Sequence, residues 1–214
     1  KNRYESLENK YDKFLAENYD YKANTYETNK INLLSNPTSL YSKQPTVYYG
    51  LMYLAKNAKK EVKIHTPYII CNDYMYNELK NIKVPTTIMT NSAENNGNIF
   101  GAVDYLNHKK DIINTGVTIK EYEGGISYHG KSMTIDDDIA IVGSFNMDMR
   151  SAYIDTELML VINSKDINKQ LKASMEEYEK KAATVKNETE YSHIPEGMKM
   201  KELSDKKKNI KAWF

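Results

Sequence analysis

Seven residues in the C-terminal half of the chain have types and spacings that could do chemistry together. His129 and Lys131 flank a glycine, Asp136 follows, Gly143, Ser144 and Asn146 come shortly after, and Glu157 stands beyond them. As a pattern this is H-x-K-x(4)-D, then G-S-x-N, then a spaced glutamate. An imidazole, an ammonium, a hydroxyl and a carboxamide converging on a small volume suit a phosphodiester. A neutral ring nitrogen can attack phosphorus while fixed donors hold the non-bridging oxygens. Taken singly these residues say little: a strand-end histidine is usually a satisfied polar group, and three aspartates in a row make an ordinary turn. Their joint spacing is what points to chemistry.

That spacing needs strands to bring the groups together. Ser127 to Ile135 and Ile139 to Ser144 read as two short strands joined by the turn Asp136-Asp137-Asp138. On a strand, residues two apart share a face, so His129 and Lys131 should point the same way. The hairpin then returns Ser144 and Asn146 to the same end, and Glu157 to Ile162 forms a further buried strand. Upstream, a strand at Ile31 to Leu34 ends at Ser35-Asn36-Pro37, and an apolar helical stripe runs from Pro45 to Ala58. Strands follow at Glu61 to Thr66, Thr86 to Thr90 and Val117 to Tyr122, separated by helices over Tyr74 to Ile82 and Asn98 to Asn114. Downstream, Ile167, Leu171, Met175, Tyr178 and Ala182 mark another core-facing helix, and Leu7, Tyr11, Phe14 and Leu15 suggest one over residues 1–18.

This alternation predicts an α/β fold with a mixed, largely parallel sheet flanked by helices on both faces. Tyr68 and Asn91 fall at strand ends, where residues lining the pockets of open sheets often sit. His65, just before Pro67, reads as a packed or hydrogen-bonded histidine, and His108 and His193 have no partners in view. The organisation divides as a connector and helical extension over 1–45, a main domain over 46–187, and a lysine-rich tail over 188–214.

Composition sets the outer bounds. Of 214 residues, 40% are hydrophobic and 28% charged, enough apolar material for a core. No stretch approaches the ~18 apolar residues of a membrane-spanning helix. The single cysteine, Cys71, excludes an internal disulfide and a multi-cysteine metal cluster. Thirty Lys and Arg against 29 Asp and Glu leave a net charge of +1, and Arg3 and Arg150 are the only arginines. A duplex binder needs a basic stripe, so nucleic acid is disfavoured as a partner. Lys206-Lys207-Lys208 with Trp213-Phe214 could touch a membrane interface, although such a run is more often solvated. The many lysines, asparagines and tyrosines suggest a bacterial source.

The H-x-K-x(4)-D segment resembles the HKD motif of the phospholipase D superfamily. Its surroundings, Ile64-His-Thr-Pro-Tyr-Ile, Thr90-Asn-Ser, Gly143-Ser-Phe-Asn-Met-Asp-Met-Arg-Ser and Asp155-Thr-Glu, are similar to the second half of bacterial cardiolipin synthase-like enzymes. The resemblance extends from about Ile31 to Ile162. It implies that His129 is an active-site histidine, nucleophile or general acid, and that Lys131, Ser144 and Asn146 hold phosphate oxygens. Glu157 would accept a hydrogen bond from the other His129 nitrogen, and Asp136 and Gly143 would be structural. It implies no metal or cofactor, since lysine and amide donors neutralise the phosphate. The implied reaction runs through a phosphohistidine and needs two histidines, so a second HKD half is expected, either a preceding segment or a homodimer mate. The implied substrate is a phospholipid, with transfer or hydrolysis both open, and the alternative is a family nuclease or other phosphodiesterase acting as a homodimer. A lipid substrate would associate the enzyme with a membrane through parts outside this chain.

Overall fold

Alternate residues of strand β2 (Val62–His65) face different layers, and this alternation organises the whole molecule. The computed structural model describes residue 20 and residues 22–188. The expected helix over 1–18, His193 and the lysine-rich tail lie outside the described residues. In chain order the elements are β1 (Lys30–Ser35), α1 (Thr46–Lys56), β2, β3 (Ile69–Ile70), α2 (Asp73–Lys80), β4 (Thr86–Asn91), α3 (Ile99–Asn114) and β5 (Thr118–Tyr122). There follow β6 (Ser132–Ile135), β7 (Ile139–Gly143), β8 (Met147–Asp148), α4 (Met149–Tyr153), β9 (Leu158–Asn163), α5 (Lys165–Glu179) and β10 (Ala182–Thr184).

Eight strands form one sheet in the order β1-β9-β7-β6-β2-β4-β5-β10. On one face, Val62, Ile64, Ile88, Ile119, Met133, Ile135 and Ile141 pack with Leu51 of α1, Leu79 of α2 and Ile112 of α3 in a single core. On the other face lies α5, which meets Lys63 and His65 through Glu176 and Glu179. Helices therefore flank both faces, and the α/β class with a mixed sheet stands. Two of the helices, α2 and α3, begin where asparagine caps them: Asn72 accepts from the Met75 amide, and Asn98 from the amides of Phe100 and Gly101.

The expectation of a largely parallel sheet is corrected. Parallel pairing is confined to β2–β4, β4–β5 and the small β3–β8 ladder, and every other neighbouring pair is antiparallel. The helical crossovers in the first half do give parallel neighbours. From β6 onward the chain turns back on itself, and β1 joins the sheet edge against β9 rather than standing apart as connector. Gly143 makes that close packing possible, because a Cβ there would stand 2.1 Å from the Leu158 carbonyl oxygen. No helix among the described residues is long and apolar enough to cross a membrane.

Candidate active site

The start of β6, the end of β7 and the start of β9 lie at one edge of the sheet, since Ser132 pairs with Val142 and Gly143 with Met159. Lys131, Ser144 and Glu157 each stand one residue outside those strand ends and so meet at that edge. The end of β2 joins them, with His65 opposite Ser132. Above this edge the β3–β8 ladder, with the Met147 amide donating to Thr66 Oγ1 at 3.1 Å, fixes the loop that carries Asn146.

The expected strand from Ser127 begins only at Ser132, so His129 and Lys131 occupy a loop leading into β6. They still share one side. Lys131 Nζ lies 3.0 Å from His129 Nδ1, 3.3 Å from Nε2 and 2.9 Å from the His129 carbonyl oxygen. An ammonium so placed can only donate, so the imidazole facing it must be neutral. Partial burial, and then the Lys131 charge, both lower the His129 pKa. The result is an exposed, neutral imidazole whose one lone pair is turned toward Lys131. Burial likewise lowers the Lys131 pKa, against the opposing charges of Glu157 and Asp148.

Ser144, Asn146 and Glu157 form a second group, and its centre is a residue that the motif pattern did not mark. Ser151 is fully buried in α4. Its hydroxyl donates to Glu157 Oε1 at 2.7 Å and accepts from the amide and Nδ2 of Asn146, each at 3.2 Å. Asp148 caps α4 by accepting from the Ser151 amide at 2.6 Å, and burial raises its pKa to about 6 against the pull of those bonds. The other Glu157 oxygen accepts from Ser144 Oγ, which in turn accepts from the Leu158 amide at 3.0 Å. The expectation that Glu157 holds His129 is therefore corrected within this chain: two serine hydroxyls take its carboxylate. Asn146 Oδ1 is buried and has no partner among the described residues.

The remaining expectations divide. Asp136 does tie the turn, since its carboxylate accepts from the amides of Lys59, Lys60 and Glu61. Tyr68 and His129 line the same cleft of about 410 Å³, which continues past Asn96 and Ser127 into a larger one of about 590 Å³ beside Glu94 and Glu123. Asn91 lines neither of these clefts. It is buried, donating to the Pro67 and Tyr128 carbonyls and accepting from the Tyr128 amide and Asn95 Nδ2. His65 is packed and hydrogen-bonded as expected, whereas His108 has a partner after all, in Asp104 at 3.3 Å. Among the described residues no cluster of three or more His, Cys, Asp or Glu could hold a metal ion.

Comparison with known proteins sets names beside this geometry. The family described as "Cardiolipin synthase, PLD-like domain" matches residues 51–178. Cardiolipin synthase 1 of Staphylococcus epidermidis strain ATCC 12228 is 30% identical over 159 residues, which are 73% of this chain and 32% of that protein. Cardiolipin synthase of Staphylococcus aureus strain N315 is 31% identical over 129 residues, 59% of this chain and 26% of that one. The chain thus spans a third or less of the length of these curated relatives. Among solved structures, phosphatidylserine synthase of Haemophilus influenzae matches with a TM-score of 0.63 at 18% identity, over 85% of this chain and 46% of its own. The phospholipase D family member Nuc of Salmonella typhimurium matches with a TM-score of 0.59 at 16% identity, over 74% of this chain and 99% of its own. At such identities the likeness is one of fold.

Proposed function

The chain belongs to the phospholipase D superfamily, and on that premise we propose that it is one HKD half of a phosphodiester-cleaving or phosphatidyl-transferring enzyme, of cardiolipin synthase or phospholipase D type. The observation that carries this is the contact of 3.0 Å between Lys131 and a neutral His129, at the sheet edge that also holds Ser144, Asn146 and Glu157. In one assignment of roles, the lone pair of a His129 ring nitrogen attacks phosphorus, the P–O bond to the leaving alcohol breaks, and a phosphohistidine forms. A second histidine, from the other half, protonates the departing oxygen. The same group then takes a proton from the acceptor, water or an alcohol, whose oxygen attacks phosphorus and releases His129. The reverse assignment exchanges the two histidines. Lys131 offsets the phosphate charge in either case.

Displacement at phosphorus needs an attacking and a leaving group in line, which one imidazole cannot serve alone. Support for a paired half comes from the sheet. Leu33, Leu160 and Val142 are cross-strand neighbours on one face, and Ile31, Leu33, Val142 and Leu158 are exposed there beside Ser144. An apolar strip next to a catalytic edge fits a covering partner. A preceding HKD half is favoured by the relatives, of which the chain spans a third or less. A homodimeric phosphodiesterase is the second reading, favoured by the match to nearly the whole length of Nuc.

The test is turnover of phosphatidylglycerol vesicles and of a single-stranded oligonucleotide by the assembled enzyme and its His129→Ala variant. Lipid turnover that disappears in the variant supports the proposal. Oligonucleotide cleavage alone selects the second reading, and activity retained by His129→Ala refutes both.

A further inference from the structure

The phenol of Tyr128 lies beneath the His129-Gly130-Lys131 turn, and the imidazole of His65 lies beneath that phenol. The reaction above uses neither. Tyr128 immediately precedes the motif histidine, and one buried side chain clamps both of its backbone polar groups. Asn91 Oδ1 accepts from the Tyr128 amide at 2.8 Å, and Asn91 Nδ2 donates to the Tyr128 carbonyl at 2.9 Å. The ring then folds back under the motif. A Cβ on residue 130 would stand 2.3 Å from Tyr128 Oη and 2.6 Å from Cζ, so the phenol occupies the space a side chain at residue 130 would take. Tyr178 meets the ring edge-on at 4.8 Å between centroids, and His65 does so at 5.5 Å.

The hydrogen bonds below the ring have a fixed direction. His65 is 1% exposed, with Nδ1 at 3.2 Å from Tyr128 Oη and Nε2 at 3.3 Å from Glu179 Oε1. Glu179 also accepts from Lys120 at 2.6 Å and from Lys63 at 3.4 Å. Burial works against its charge, but the bonds from His65 and Lys120 and the nearby lysine charges outweigh it and bring its pKa down to about 2. An ionised carboxylate can only accept, so His65 Nε2 donates to it. Burial, the largest influence on His65, keeps the ring neutral, and Nδ1 is then left to accept from the Tyr128 hydroxyl.

We propose that His65 and Tyr128 are positioning residues for His129: a strut from Glu179 on α5, along the α5 face of the sheet, to the underside of the catalytic loop. The proposal rests on the reading of His129 as catalytic. Asn91 fixes the backbone at residue 128, and the strut fixes the ring on which Gly130 rests, so His129 and Lys131 keep their mutual geometry although both lie outside regular structure. A misplacement of about 1 Å at a reacting group is enough to cost up to about a hundredfold in rate.

The experiment compares Tyr128→Phe, His65→Gln and the double variant in the assembled enzyme, and also follows amide order by nitrogen relaxation in the 214-residue chain. Each single variant should lower kcat about tenfold with KM within about twofold. The double variant should be no worse than the weaker single one, because both remove the same link. The amides of Gly130 and Lys131 should loosen while those of α1 stay rigid. A wild-type kcat in both single variants, multiplying effects, or kcat losses that only track lowered melting temperatures would overturn the strut. Unchanged amide order at residues 130 and 131 would overturn it without reference to turnover. Activity retained by His129→Ala would instead overturn the reading of the site.

Discussion

Replacing Asp136 with asparagine should weaken the fold and leave the chemistry nearly intact. Asp136 sits at the β6–β7 turn with a φ of 53°, a left-handed conformation that asparagine also tolerates, so the substitution isolates the charge. Its Oδ1 accepts from the amides of Lys60 at 2.7 Å, Lys59 at 3.1 Å and Glu61 at 3.2 Å, and its Oδ2 accepts from that of Lys59 at 2.9 Å. A carboxamide oxygen in the Oδ1 place can still accept from all three amides, but the NH2 in the Oδ2 place then stands against the Lys59 amide, donor against donor, and the shorter Lys59 bond is lost. Converting such charge-assisted bonds to neutral ones, with one lost at a half-buried site, costs about 2 kcal/mol. For a chain of this size that is a fall of roughly 4–8 °C in melting temperature. The pH dependence is the sharper signature. Burial favours the neutral acid, yet the three amide bonds outweigh it and hold the Asp136 pKa below its ordinary value. A depressed carboxyl pKa contributes stability that is complete above the unfolded value, about 3.9, and is lost as pH falls through the folded one. Urea unfolding at pH 7 should therefore separate wild type from Asp136→Asn by about 2 kcal/mol, constant above about pH 5 and shrinking below about pH 4. The kcat of the folded variant should stay within about twofold of wild type. Wild-type stability with turnover lost would mean that Asp136 acts on substrate, and a stability gap undiminished at pH 3 would refute the amide-bond account.

Glu157→Gln should be a milder lesion than His129→Ala, since an amide oxygen still serves one of the two serines, Ser144 or Ser151. Its charge favours the Lys131 ammonium, so its loss should move the alkaline limb of the pH–rate profile to lower pH; a moved acid limb would show that Glu157 pairs with a histidine instead. Turnover should survive EDTA, because the described residues offer no group of metal ligands at the site while Lys131 supplies the positive charge; strict dependence on added metal ion would overturn the mechanism. The isolated 214-residue chain should be inert as a monomer, and any specific activity should rise steeply with concentration alongside the mass from light scattering. Robust turnover by a proven monomer would end the two-histidine account.

Local patterns made the first half of the fold legible. Alternation ending at Pro67 marked β2, and apolar spacing marked α1 and α3, because each buries one stripe or face against the core. The direction of the later strands was not legible, since the β1–β9 pairing joins residues far apart and leaves no local trace. The two-residue strands β3 and β8 are too short to show a period. At the candidate site, the motif spacing anticipated that His129 and Lys131 lie side by side and that Ser144 and Glu157 meet at the same strand ends, as the structure has them. The strand predicted around His129 failed because Asn91 ties Tyr128 away from the ladder. Ser151 was missed, although Asp148 three residues before it is a recognisable helix cap and could have drawn attention to the turn. Asn91 showed the opposite error, a polar residue at a strand end whose partners are all backbone or neighbouring amide.

The edge strand β1 sets an order of events during synthesis. Among the described strands its one neighbour is β9, and Lys30 pairs with Asn163, more than 130 residues later. At ~5–20 residues per second, a ribosome would release β9 roughly 7–27 s after β1. Throughout that interval Ile31 and Leu33 have nothing to pair with, while β2, β4 and β5 can already assemble with their helices. Docking of β1 on β9 also brings the segment behind β1: Asn36 Nδ2 then donates to the Ser151 carbonyl at 2.8 Å, and the Lys43 amide to that of Tyr153 at 2.6 Å. The α4 turn that carries Ser151 is thus fastened only after β9 has given β1 a neighbour, so a nascent chain can hold β2, β4 and β5 in place while the strand ends beside Ser144 and Glu157 are still open to chaperones and proteases.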